Sequence, residues 1–186
     1  MATNPARLAG LVLVLCGTAA VSHGKEGKKM FTMTSPAFKH GETIPKVHTC
    51  EGRDPSPELN WSGAPAKTKS FALVMDDPDA PVGLWVHWVL YDIPGNLSGL
   101  PGNLPKTERV LDGAKHGASW GVDNFSRAGY GGPCPPPGKP HRYFFKLYAL
   151  DKILGLPPRA TTTELAKAME GHVLGRAELM GLFERR

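Results

Sequence analysis

The chain has 186 residues, of which 41% are hydrophobic and 21% charged, as expected for one globular domain rather than a disordered or fibrous chain. Its formal net charge is +5, but the lysines and arginines are scattered and no basic run exceeds two residues, which disfavours a nucleic-acid binder. With 22 glycines and 18 prolines, the chain is expected to form short elements and long loops rather than a helix bundle.

Residues 1–24 are typical of a secretory signal peptide. One positive side chain, Arg7, precedes an apolar run of about 13 residues from Leu8 to Ala20, and charged residues begin at Lys25. Because a spanning helix needs about 20 residues, we expect no stable membrane span after processing. Residues 25–186 are then a periplasmic or secreted domain, with cleavage after Ala20 or Gly24. A buried helix or an uncleaved anchor is the alternative for residues 1–24.

The three cysteines bear on localisation and on redox state. Cys16 lies inside the apolar run after Leu15, whereas a lipoprotein carries a small residue before its modified cysteine, so a secreted protein is favoured over a lipoprotein. Removal of the signal peptide leaves Cys50 and Cys134. In an exported protein these two are a candidate disulfide. Two unpaired thiols remain the alternative, because a sequence does not show whether their Cα atoms approach within about 7 Å.

Alternating and apolar segments predict a mainly β domain. The predicted strands are Phe31–Thr34, Leu59–Trp61, Ser70–Met75, Trp85–Tyr91 and Tyr143–Leu150. A period of two places Trp85, His87, Val89 and Tyr91 on one face of their strand. The last strand is apolar on both faces apart from Lys146, which indicates a central strand covered on both sides.

The C-terminal region is predicted to be helical. Thr161 and Glu164 form a capping box, and a helix from about Thr163 to about Leu182 follows from this start. Its core contacts are expected to be apolar residues at helical spacing, namely Leu165, Met169, Val173 and Met180. Gly171 and Gly175 weaken this helix.

Polar residues are concentrated in three segments, and each segment has two possible interpretations. Asp76, Asp77 and Asp79 follow a predicted strand and form either a site for a ligand or an exposed acidic turn. His87 is either a core histidine bonded to a carbonyl or a pocket histidine that handles protons. The run His141-Arg142-Tyr143 is either an anion site or a surface loop. The histidine spacing matches no compact metal motif, and the sequence lacks a nucleophile elbow, a Walker loop and a dinucleotide fingerprint.

Taken together, these motifs resemble the phosphatidylethanolamine-binding protein family, and most closely its bacterial and archaeal Raf-kinase-inhibitor-like branch. The matching stretches, in the order in which the family has them, are residues 31–38, 48–52, 56–61, 77–81, 85–88, 129–136 and 141–143. The resemblance covers the chain from about Met30 onward. It implies an antiparallel β-sandwich with long loops and a C-terminal helix.

The resemblance also implies a small anion pocket lined by four residues, Asp77, His87, His141 and Tyr143. Asp79 and Arg142 would support this pocket as an ion pair that bridges two loops. Gly131 and Gly132 would form a rim with backbone donors. The family places the loops of Cys50 and Cys134 near this region, which strengthens the candidate disulfide. No metal or other cofactor is implied.

The function expected from this pocket is binding of phosphate-bearing ligands, such as phospholipid head groups. Protonated histidines and backbone N–H groups would bind the phosphate, and a carboxylate would orient a histidine or an ammonium group. One alternative is an inhibitor that docks on a protease or a kinase. The other is an enzyme with His87 or His141 as general base.

Overall fold

The computed structural model describes Met1, residues 30–119, Gly121 and residues 127–186. The predicted signal peptide, its two candidate cleavage positions and Cys16 lie outside the described residues, Met1 apart. The described part of the chain contains no helix that is long and apolar enough to cross a membrane.

Two antiparallel sheets form the body of the domain. The small sheet has the order β1-β2-β5, with β1 at Thr32–Thr34, β2 at Leu59–Ser62 and β5 at Gly99–Leu100. The large sheet has the order β6-β7-β4-β3-β8-β9. Its strands are β3 at Ser70–Asp77, β4 at Trp85–Pro94, β6 at Arg109–Val110, β7 at Ala114–His116, β8 at His141–Leu150 and β9 at Val173–Phe183. A 3-10 helix spans Lys46–His48 and one α-helix, α1, spans Thr162–Met169.

Hydrophobic side chains fill both faces of the large sheet. The larger cluster lies between the sheets, where Trp88 and Phe145 pack with Met33 and Trp61 of the small sheet. The second cluster lies under α1, whose Leu165 contributes to it. The mainly β fold with antiparallel sheets and a C-terminal helix is therefore confirmed.

The five predicted strands are present, within one to three residues at their ends. The predicted central strand, β8, lies between β3 and β9. Its odd-numbered residues are buried, whereas Phe144, Lys146 and Tyr148 on the other face are only partly buried. The short strands β5, β6 and β7 were not predicted, since two or three residues give no periodic signal.

The predicted long C-terminal helix is wrong in its extent. The capping box of Thr161 and Glu164 is present, but α1 ends at Met169 and Gly171 adopts a positive φ of 74°. The chain then forms β9, which pairs with β8 over the length of both strands. Val173, predicted as a helical core contact, is 45% exposed. Pairing with an existing strand satisfies the backbone groups that the helix would have satisfied internally.

A β-bulge changes the direction of His87. Met75 pairs with Trp88 and Asp76 pairs with Val86, so His87 is the extra residue of the bulge. Val89 and Tyr91 therefore belong to the cluster under α1, while the ring of His87 contacts Tyr143 of the other cluster. The prediction that His87 shares a face with Val89 and Tyr91 is wrong, because the extra residue shifts the alternation by one.

Candidate functional site

One cavity brings together the four pocket residues predicted from the family resemblance. It has a volume of about 230 Å³ and opens to solvent at one end of the central strands of the large sheet. Asp77 at the end of β3, His87 in the bulge of β4, and His141 and Tyr143 at the start of β8 line it. Antiparallel pairing explains this convergence, because the end of β3 lies beside the starts of its two neighbours, β4 and β8.

The Asp77 carboxylate is buried and organises the polar side of the cavity. Its Oδ1 accepts a hydrogen bond from the Asp79 backbone N–H at 2.8 Å. Its Oδ2 lies 2.8 Å from His141 Nδ1, which is therefore the donor, since a carboxylate only accepts. The side chains of Asp77 and His141 are 4% and 7% exposed. This pairing fixes the orientation of the His141 ring at the pocket.

His87 is neutral in the folded protein at pH 7. Burial of the ring is the largest cause that lowers its pKa, to about 4, and hydrogen bonding to the Gly131 carbonyl opposes this only in part. His87 Nδ1 lies 2.8 Å from that carbonyl, so Nδ1 carries the proton and donates. The expectation of two protonated histidines therefore does not hold for His87, which without a ligand contributes an uncharged ring.

Tyr143 contributes a buried hydroxyl to the cavity. Its oxygen has no hydrogen-bond partner of ordinary geometry among the described residues. Burial raises the pKa of this phenol far above its usual value, and the nearby Asp77 carboxylate raises it further. The group therefore keeps its proton as a donor. Its ring packs edge-on against His87, with the ring centres 5.2 Å apart.

Asp79 and Arg142 form an ion pair at the pocket edge. Asp79 Oδ2 accepts from the backbone N–H and the Nε of Arg142, both at 2.9 Å, and Oδ1 accepts from Nη2 at 2.8 Å. Hydrogen bonding to Arg142 is the largest cause that lowers the pKa of Asp79 to about 2. The pair joins the loop after β3 to the start of β8, and so supports the positions of Asp77 and His141.

Gly131 and Gly132 differ from the expected rim of backbone donors. The Gly131 N–H donates to the His87 carbonyl at 3.0 Å, and the Gly132 N–H donates to Asp54 Oδ1 at 2.8 Å. Both N–H groups therefore donate to acceptors within the protein and not into the cavity. A Cβ at Gly132 would lie 2.2 Å from the His48 carbonyl oxygen, so only glycine fits. The two residues hold His87 and the 131–136 segment in place.

Cys50 and Cys134 are joined in a disulfide, with their Cα atoms 5.4 Å apart. The bond links the loop after the 3-10 helix to the 131–136 segment. The Cys50 N–H also donates to the Pro133 carbonyl at 3.1 Å. Because Cys134 lines the cavity, the disulfide forms part of the pocket wall.

The remaining wall is apolar and was not predicted as part of the site. It consists of residues from the loop before β4, from the first position of β4 and from the proline-rich segment, namely Ala80, Pro81, Val82, Trp85, Pro135 and Pro136. Five of them lie inside the stretches that match the family, and Val82 directly follows one of those stretches, which is the signal that could have found them. Asp54, which anchors Gly132, carries no such signal, since its role depends on contacts between distant loops.

The described residues include no cluster of three or more His, Cys, Asp or Glu side chains suited to a metal ion. Ser119, near His116 in sequence, donates its hydroxyl to the backbone carbonyls of Arg127 and Gly129. This hydroxyl is therefore bonded to backbone carbonyls and not to a side chain that could act as a general base.

Comparison with known proteins identifies relatives over most of the chain. Residues 34–184 match the sequence model of the phosphatidylethanolamine-binding protein family. A UPF0098 protein of Aquifex aeolicus is 47% identical over 161 residues, which cover 86% of this chain and 91% of that protein. A UPF0098 protein of Methanothermobacter thermautotrophicus is 48% identical, covering 80% of this chain and 95% of that protein.

Two solved structures share the fold. Escherichia coli YbcL, described as a member of the mammalian PEBP family, is 36% identical with a TM-score of 0.75, covering 85% of this chain and 100% of that chain. CT736 of Chlamydia trachomatis, described as a PEBP homologue, is 36% identical with a TM-score of 0.75, covering 84% of this chain and 99% of that chain.

Proposed function

The chain belongs to the phosphatidylethanolamine-binding protein family, and on that premise we propose that it is an exported binding protein for small phosphate-bearing ligands. The ligand occupies the cavity lined by Asp77, His87, His141 and Tyr143. The observation that carries this proposal is the buried Tyr143 hydroxyl, which lies in that cavity near the Asp77 carboxylate and has no hydrogen-bond partner of ordinary geometry among the described residues. A buried donor without an acceptor is costly, and a ligand oxygen would remove that cost.

The donors of the pocket suit a phosphate. Tyr143 supplies an O–H that stays protonated, and His141, when protonated, donates through both ring nitrogens, one of them to Asp77. Hydrogen bonds of this kind to an anion are stronger than neutral ones. Asp77 holds the His141 ring in place and leaves a carboxylate near the cavity for an ammonium group. A phosphoethanolamine carries both of these charges.

The size of the cavity limits the ligand. A volume of about 230 Å³ lies below the range of about 300–1,000 Å³ in which drug-sized molecules bind. A phosphate or a short head group fits, whereas acyl chains would remain outside. The apolar wall beside Pro135 and Trp85 suits the methylene groups of such a head group.

Export is supported by two features. Residues 1–24 have the pattern of a signal peptide, and the Cys50–Cys134 disulfide is typical of proteins in oxidising compartments. An exported protein does not meet cytosolic kinases, so the partner in the alternative role as an inhibitor would be a protease or another envelope protein.

Calorimetric titration tests the proposal. The wild-type chain is titrated with inorganic phosphate and with phosphoethanolamine, which distinguishes the anion from the head group. Tyr143→Phe should weaken both by about tenfold, the cost of one hydrogen bond to a charged group. Tyr148→Phe, on the other face of the same strand, is the matched control and should bind as wild type does.

Two results would contradict the proposal. Absence of binding of both ligands to the wild-type chain would favour the inhibitor role and direct the search to a protein partner. Conversion of phosphoethanolamine to products, lost in His87→Asn, would favour the enzyme.

A further inference from the structure

The two sulfurs of the Cys50–Cys134 disulfide have different surroundings. Cys50 is exposed, while Cys134 is partly buried and lines the candidate pocket. Arg185, two residues beyond the end of β9, contacts the sulfur of Cys134. Its Nη1 lies 3.9 Å from Cys134 Sγ and 3.5 Å from the Pro135 carbonyl oxygen, which holds the guanidinium in place.

This asymmetry defines a direction for thiol–disulfide exchange. An attacking thiolate needs access to one sulfur, and the other sulfur leaves faster when its thiolate is stabilised. A neighbouring arginine stabilises a thiolate. Access therefore favours attack at Cys50, and the Arg185 guanidinium favours departure of Cys134.

We propose that the Cys50–Cys134 disulfide is a thiol-exchange site, attacked at Cys50 by an external dithiol, and that its opening weakens anion binding in the adjacent pocket. In the first step the external thiolate forms a disulfide with Cys50 Sγ, and the electron pair of the broken bond passes to Cys134 Sγ beside Arg185. The second thiol of the reductant then attacks the mixed disulfide and releases Cys50. The protein disulfide gains two electrons and the dithiol is oxidised to a disulfide.

The effect on the pocket rests on the proposed function. Reduction removes the covalent link between the loop of Cys50 and the 131–136 segment, which forms part of the pocket wall. That segment supplies the Gly131 carbonyl that orients His87. We expect the affinity for phosphate to fall by about tenfold, within the usual range for coupled sites.

The direction of attack is tested by trapping. The full chain carrying Cys16→Ser, which leaves Cys50 and Cys134 as its cysteines, is treated with reduced glutathione and iodoacetamide, and the products are mapped by mass spectrometry. Glutathione should appear on Cys50 and the alkyl group on Cys134. Arg185→Gln should slow the reaction several-fold, whereas Arg185→Lys, which keeps the charge, should retain most of the rate. Glutathione mainly on Cys134, or an unchanged rate in Arg185→Gln, would overturn the proposed exchange.

The coupling is tested on the same chain by two measurements. Phosphate affinity is compared between the oxidised and reduced forms, and the midpoint potential of the disulfide is measured with and without saturating phosphate. By linkage, a tenfold weaker affinity in the reduced form lowers that potential by about 30 mV when phosphate is saturating. Equal affinities and equal potentials in a chain that binds phosphate would overturn the coupling. If neither form binds phosphate, the proposed function fails, while the trapping result still decides the exchange.

Discussion

His141 Nδ1 and Asp77 Oδ2 lie 2.8 Å apart in an almost fully buried pair, although the two residues are 64 positions apart in the chain. The pair joins the end of β3 to the start of β8 across the floor of the cavity. The carboxylate accepts a hydrogen bond from His141 Nδ1 and so fixes the orientation of the ring that lines the cavity. The properties of the pocket therefore depend on this contact.

Replacement of Asp77 by asparagine should reduce phosphate binding. Asp77→Asn keeps the shape of the side chain but replaces the hydrogen bond from His141 Nδ1 to a charged carboxylate by a weaker one to a neutral amide. We expect the affinity for phosphate to fall by about tenfold, the effect of about 1.4 kcal/mol. Asp112→Asn, at an exposed aspartate outside the pocket, is the control. Unchanged affinity in Asp77→Asn would contradict the role given to the pair.

The buried, neutral His87 makes the fold sensitive to acid. The unfolded ring has a pKa of about 6.5 and the folded ring one of about 4, so the unfolded chain binds more protons between these values. The free energy of unfolding is therefore fully retained above pH 6.5 and decreases as the pH falls towards 4. At about 1.4 kcal/mol for each pH unit, the loss approaches about 3 kcal/mol. Burial also lowers the pKa of His116, so this histidine too reduces the free energy of unfolding as the pH falls.

Urea unfolding at pH 7, 5.5 and 4 measures this effect. His87→Asn retains an N–H that can donate to the Gly131 carbonyl but does not titrate, so its stability should fall less with acid than that of the wild type. His40→Gln, at an exposed histidine, should follow the wild type. Parallel pH profiles for His87→Asn and the wild type would show that His87 is not the group responsible.

Asp76 and Lys146 form a second ion pair, on the other face of the sheet. Asp76 is 3% exposed and its Oδ2 accepts a hydrogen bond from Lys146 Nζ. Burial is the largest cause that raises the pKa of Asp76, and Lys146 opposes it. Lys146→Met would leave the carboxylate buried without its partner and should destabilise the fold by about 3 kcal/mol.

The double variant Asp76→Leu/Lys146→Met distinguishes the stability contributed by the ion pair from the cost of leaving one buried charge unpaired. It should recover most of the lost stability, because replacing both partners by apolar groups removes the cost of desolvation. Arg159→Met, which disrupts a pair with Glu108 that is about half exposed, should change stability by less than about 1 kcal/mol. Thermal or urea unfolding measures all three. A stable Lys146→Met variant would show that Asp76 is compensated in another way.

Gly132 should tolerate no side chain. A Cβ there would lie 2.2 Å from the His48 carbonyl oxygen and 2.4 Å from Asp54 Oδ1. Gly132→Ala should destabilise the fold by about 1–3 kcal/mol and weaken phosphate binding, because the 131–136 segment must move. At Gly102 the nearest atom is 3.4 Å from the added carbon, and Gly102→Ala is the control. Wild-type stability in Gly132→Ala would show that the segment is not tightly held.

The predictable part of the fold followed from strong local patterns. The strands Ser70–Asp77 and Trp85–Pro94 contain long apolar segments, and the capping box of Thr161 and Glu164 is a local motif. The pocket residues were predicted because the family resemblance associates segments that are distant in the chain. Neither periodicity nor composition would have placed Asp77 beside His141.

The other features of the fold and of the site depend on contacts between distant segments, which no single segment of the sequence shows. The bulge at His87 exists only relative to the register of β3. The C-terminal region from Leu165 onward carries two patterns, since Leu165, Met169 and Val173 have helical spacing while Ala177, Leu179 and Phe183 alternate. Gly181 interrupts that alternation, because Ile44 and Phe38 leave no room there for a side chain. The neutral state of His87 depends on burial, which only the folded chain shows.

The most direct test of the account is a crystal structure of the mature chain grown with inorganic phosphate. We predict one phosphate in the cavity, within hydrogen-bonding distance of the Tyr143 hydroxyl and of His141. The same crystals of Tyr143→Phe should show lower occupancy. A phosphate bound elsewhere while the cavity holds only water, at a concentration well above the dissociation constant from calorimetry, would contradict the proposed site.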